Sequence, residues 1–122
     1  MSFDWAEYLA LARHLLQPGT TTVSAEAALR CAISRSYYAV FCSARNYLRD
    51  RGLYQPTYDY KDHGRVPKSM TNHGFPHLAT DMNRLRQRRI AADYQDSISK
   101  PHDQARFAVE AATYVLDKLG QL

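Results

Sequence analysis

No apolar run in this chain is long enough to cross a bilayer. Arg, Asp and Ser interrupt every hydrophobic stretch, so no membrane-spanning segment is expected. The opening Met1-Ser2-Phe3-Asp4-Trp5 lacks the basic region and apolar core of a secretory signal, and a cytoplasmic location follows by default. Cysteine is scarce. Cys31 and Cys42 fall on one predicted helix, roughly 16 Å apart by helical rise, which no intrachain disulfide spans. Reduced thiols fit that location. There is no glycine-rich phosphate loop, no alternating strand pattern, no internal repeat and no low-complexity tract. His73 and His77 have the i,i+4 spacing of a ligand pair, but Pro76 lies between them and neither cysteine is near in sequence. No metal and no cofactor is expected.

What is present reads as one domain over residues 1–122, long enough to bury a working core. Charged residues make up 23% and hydrophobic ones 45%, near the globular average, which argues against disorder. The net charge of +4 and pI of about 9.2 permit a nucleic-acid partner without demanding one.

Periodicity predicts four helices. The first spans about Ser2 to Leu16, with Trp5, Tyr8, Leu9, Ala12, Leu15 and Leu16 in phase, and stops at Pro18-Gly19. The second spans about Ser24 to Arg51 and ends at Gly52. Its core stripe holds Leu29, Ile33, Ser36, Val40, Ala44 and Tyr47, with Tyr37, Phe41 and Leu48 beside it. Its opposite face holds Cys31, Arg35, Tyr38, Cys42, Arg45 and Arg49. Tyr and Cys among arginines mark a half-buried second face, a partner surface or a groove floor. Residues 52–74, rich in Gly, Pro and Tyr, read as a long connection, functional or simply disordered. The last two helices span about Pro76 to Ala92 and about Pro101 to Gly120. The expected fold is all-α: a four-helix, mainly antiparallel bundle with a long loop between the second and third helices.

Two motifs occur in order. One is Ala32-Ile33-Ser34-Arg35-Ser36-Tyr37-Tyr38-Ala39-Val40-Phe41. The other is Arg89-Ile90-Ala91-Ala92-Asp93-Tyr94. Together, with His73-Gly74 as a weaker landmark, they resemble the HEPN family of small helical domains, in its subgroup with an RxxADY motif. The resemblance covers about Ala25 to Leu119. It implies a homodimer whose shared cleft cleaves RNA with an arginine–histidine motif, four to six residues between the two. This chain departs there: with four residues between, Arg89 is followed by Tyr94 and Arg88 by Asp93. The histidine that would serve as general base and acid is missing. Tyr and Asp titrate near 10 and 4 and each needs a large shift to replace it.

The resemblance therefore implies an RNA- or nucleotide-associated module of a toxin–antitoxin or antiviral defence system, without the usual ribonuclease chemistry. One alternative is a noncanonical metal-independent ribonuclease with Arg89, Asp93 and Tyr94 as catalytic residues in a dimer cleft. Another is a protein-interaction adaptor for a nucleotidyltransferase partner. Arg35, Tyr38, Arg84, Arg86 and Arg88 are the candidates for RNA binding or for lining the cleft. Helical phase splits the arginines: Arg84 and Arg88 share a face, while Arg86 and Arg89 project elsewhere. Arg89 and Asp93 have the spacing of a simple i,i+4 ion pair. Arg35 and Tyr38 read either as cleft-lining or as a buried dimer or interhelix contact, and the expected homodimer buries their face or the end of the third helix.

Overall fold

The computed structural model describes residues 2–19 and 22–121. Their ordered elements are five α-helices: α1 (Glu7–Leu16), α2 (Ala25–Asp50), α3 (Asp62–Asn72), α4 (Pro76–Tyr94) and α5 (Pro101–Gln121). No strand occurs among the described residues. The chain is all-α, but the expected count of four helices is wrong. The expected long loop between the second and third helices contains α3.

The sequence hides α3 because Gly64 and Pro67 interrupt it. Glycine and an interior proline both weaken a helix, and proline removes a backbone donor. Tertiary contacts offset that. Val66 and Met70 are fully buried, each burial stabilising by roughly 1.5–3 kcal/mol. At its start, the buried Asp62 carboxylate accepts hydrogen bonds from the Thr57 N–H (3.0 Å), the Thr57 hydroxyl (2.8 Å), the Tyr58 N–H (2.8 Å) and the Tyr54 hydroxyl. The connection before α3 is thus tied to it by one side chain.

α2 is the central element and touches each of the other four helices. Ser24 caps it, its Oγ accepting from the Ala27 N–H at 3.2 Å. Gly52 ends it with φ +70°, and the Leu53 N–H donates to the Leu48 carbonyl at 2.9 Å. Gly74 repeats the device after α3 with φ +95°, and the Phe75 N–H donates to Met70 O at 2.9 Å. Both positions need the left-handed conformation that glycine adopts without strain. The predicted core stripe of α2 is buried at Ile33, Ser36, Tyr37, Val40, Phe41, Ala44 and Leu48, while Leu29 and Tyr47 are half-buried. It packs with Leu78, Met82 and Leu85 of α4 and Ala108, Ala112 and Val115 of α5.

α1 begins five residues later than predicted, because Asp4 initiates a turn ahead of it. Asp4 Oδ1 accepts from the Ala6 N–H and Asp4 O from the Glu7 N–H, both at 3.0 Å. Trp5 consequently lies in that turn and not on a helix face. α4 runs two residues past the predicted end, through Asp93 and Tyr94.

Candidate nucleic-acid interface

The second face of α2 is half-buried, as its mixture of Arg, Tyr and Cys predicts. The α1 segment lies over one side of it and the start of α3 over the other. Between them is an open cleft of about 340 Å³. Trp5 and Tyr8 come from the α1 side. Arg35, Tyr38, Phe41, Cys42 and Arg45 come from α2, and Tyr58, Asp59, Asp62 and His63 come from the α3 side.

The two arginines of the cleft are held by rings. The Arg35 guanidinium lies 4.8 Å from the centre of the Tyr8 ring. That of Arg45 lies 5.7 Å from the Trp5 ring and 5.2 Å from the Tyr58 ring. Rings fix these cations without cancelling their charge. Neither arginine forms an ion pair with a carboxylate among the described residues; Arg45 Nε donates only to Asn46 at 3.0 Å.

The acids in the cleft are committed elsewhere. Burial pushes the Asp62 carboxyl up, but its four hydrogen bonds outweigh that and hold it down at about 2. Its partner Tyr54 is pushed up to about 12 by burial and by donating to that carboxylate. Asp59 accepts from the Thr57 hydroxyl (2.8 Å) and the Lys61 N–H (2.9 Å), bonds that keep it low. Tyr58 sits at φ +58°, a strained conformation for a non-glycine residue. Asp62 Oδ2 grips its N–H and so presents its ring to the cleft. Burial raises the Cys42 thiol above its ordinary value, so it is not a poised nucleophile.

A second group of site candidates lies on the α2–α4 side. Arg89 is 8% exposed, and its guanidinium sits 5.4 Å from the centres of both the Tyr37 and Tyr38 rings. It pairs with Asp93 at 3.6 Å, and Asp93 Oδ2 also accepts from Ser34 Oγ at 3.2 Å. Tyr94 does not join them: it is 74% exposed and its side chain makes no hydrogen bond or ring contact among the described residues. Arg86 is half-buried, and its charge acts on Tyr37 and His63. The Nε atoms of Arg86 and Arg89 are buried without a hydrogen-bond partner among the described residues. Arg84 and Arg88 share a shallow depression with Thr80, Asn83 and Gln87, and Arg88 leans on Phe107 of α5 at 5.7 Å.

The sequence candidates therefore separate: Arg35 and Tyr38 lie in the cleft, Arg86 and Arg89 point inward with the exposed Asp93 paired to Arg89, Arg84 and Arg88 lie on the α4–α5 surface, and Tyr94 stands apart. Tyr38 joins the first two, since its ring meets both Arg89 and His63. Sequence reasoning missed Trp5, Asp62 and His63 as cleft residues, and it placed Arg45 on the second face of α2 without singling it out. Asp62 and His63 were hidden with the rest of α3. No group of three or more metal-ligating side chains occurs among the described residues, and no helix there is long and apolar enough to cross a membrane.

The family model for the HEPN domain matches residues 7–122. No curated protein and no solved structure matches the chain.

Proposed function

The chain belongs to the HEPN domain family, and from that premise we propose that it is an RNA-binding module. Its site is the cleft between α1, α2 and α3. The carrying observation is that Arg35 and Arg45 border one open cleft, braced by Tyr8, Trp5 and Tyr58, with no ion pair to either among the described residues. Single-stranded RNA needs cations for its phosphates and aromatic faces for its bases. The cleft supplies both.

The burial of Arg89, and the outward Tyr94, favour binding over cleavage by that trio. The same proposal places the chain in a toxin–antitoxin or antiviral defence system and gives it a homodimer, both by family resemblance. Because α1 covers part of the Arg35/Tyr38 face, the α4–α5 side is the better dimer surface. It exposes Phe107 and Tyr114. A nucleotidyltransferase partner remains the competing assignment for that surface.

The test is binding of a labelled single-stranded RNA by fluorescence anisotropy across salt concentrations. Two phosphate contacts at a slope of about −0.7 each lower affinity roughly sevenfold between 50 and 200 mM salt. Arg35→Ala and Arg45→Ala should each flatten that slope. Affinity unchanged by salt contradicts the proposal.

A further inference from the structure

His63 enters the cleft from α3, stacked on Phe41 with ring centres 4.3 Å apart and planes 12° apart. Its Nδ1 lies 2.5 Å from the Tyr37 hydroxyl. Tyr37 is 1% exposed, and burial drives its phenol well above the ordinary value, against the nearby charges of Arg86 and Arg89. It therefore keeps its proton throughout the neutral range. That hydroxyl has no other acceptor among the described residues, so it donates to Nδ1. A neutral imidazole whose Nδ1 accepts must carry its proton on Nε2. Nε2 has no partner among the described residues, and it is the ring nitrogen left for the cleft that His63 lines.

Resting on the RNA-binding reading, we propose that His63 is a ligand-binding residue of this cleft, its Nε2–H donating to a phosphate oxygen that Arg35 and Arg45 draw in. Tyr37 is the positioning residue that fixes the tautomer. The ring so held is not a base for a 2′-hydroxyl: Nε2 already carries a proton and Nδ1 is occupied. The imidazole that this fold brings to its cleft therefore does not replace the missing motif histidine in cleavage. Burial first, then the charges of Arg86 and Arg89, disfavour protonation of the ring; only Asp62 opposes them. Arg35, Arg45 and Asp59 face it across the cleft. A histidinium would also force Tyr37 to stop donating.

Two measurements on the full chain test this. The ¹⁵N shifts of the His63 ring report which nitrogen carries the proton. The expected result is Nε2–H in the free protein, with the Nε2 resonance shifting as a short single-stranded RNA saturates. An Nδ1–H tautomer, or an Nε2 signal indifferent to saturating RNA, overturns the proposal. Anisotropy with the same RNA then compares His63→Phe, which keeps a ring on Phe41 without the donor, and His63→Gln, which keeps a donor. Loss of a charge-assisted hydrogen bond predicts about tenfold weaker binding for His63→Phe and a smaller loss for His63→Gln. Undiminished binding by a folded His63→Phe overturns it. So does RNA cut to 2′,3′-cyclic phosphate ends by the original protein but not by His63→Gln, which would make His63 a base while leaving the binding reading intact. If the original protein binds no RNA, the binding reading falls and this inference with it. If His63→Phe does not fold, the ¹⁵N measurement alone decides.

Discussion

A single carboxylate organises the α3 side of the cleft. Asp62 is 1% exposed and gathers Tyr54, Thr57 and Tyr58. Asp62→Ala strands two part-buried N–H groups and a phenol, and should cost about 2 kcal/mol in denaturant unfolding. The pH dependence follows from the direction of the shift. The folded carboxyl sits at about 2 against an ordinary 3.8, so the unfolded chain binds the proton more readily. Asp62's contribution is complete above the ordinary value and is lost as pH falls towards about 2. An Asp62→Asn chain should lose less stability between pH 5 and 2 than the original protein; equal losses would show that Asp62 is not the group responsible. On the other side of α2, Arg89 and Asp93 are partly shielded from water. Arg89→Ala should lower stability by about 2 kcal/mol while leaving cleft binding of RNA within a few-fold of the original. Abolished binding with the fold intact would move the site to the Arg89–Asp93 group.

At the scale of elements, the legibility of this fold tracks propensity. α2 was readable because its caps and its apolar stripe agree: Ser24 begins it, Gly52 ends it and Ile33, Val40 and Leu48 mark its core. α4 and α5 were readable from their leading prolines and periodic apolar positions. α3 was not, because its local sequence opposes a helix and its stabilising partners are distant in sequence. Met70, for example, lies in the common core with residues of α2, α4 and α5. The same failure hid His63, so half of the cleft was illegible while its α2 floor was not. Helical phase put Arg35 and Tyr38 on that face. The structure makes α3 a packed element, and hydrogen exchange should protect the backbone amides around Val66 and Met70 comparably with those of α4. Exchange at the rate of an open loop would contradict it. Met70→Ala should cost about 2–5 kcal/mol through the cavity it leaves.

For the whole molecule, the modest charge of +4 matters less than its arrangement. The arginines of α4, conspicuous in the sequence, divide between an inner group and the α5-facing surface. Arg35 and Arg45, without an ion pair among the described residues, stand together with aromatic rings on a different side. Composition could not reveal that, since only the packing of α1 and α3 on α2 encloses the cleft. The apolar residues left exposed on the α4–α5 side belong to the proposed dimer. Sedimentation should give twice the chain mass, and charge substitutions at Phe107 and Tyr114 should return the monomer without loss of RNA binding.

The chain has one tryptophan, and Trp5 lines the cleft beside Arg45. Its emission is therefore a local reporter of the proposed site. Titration with single-stranded RNA, following Trp5 fluorescence and RNA anisotropy together, tests the central claim most directly. The account predicts saturable quenching with the same midpoint as the anisotropy, both midpoints moving together to higher RNA concentration in Arg45→Ala. RNA binding that leaves Trp5 emission unchanged would place the site elsewhere and contradict it.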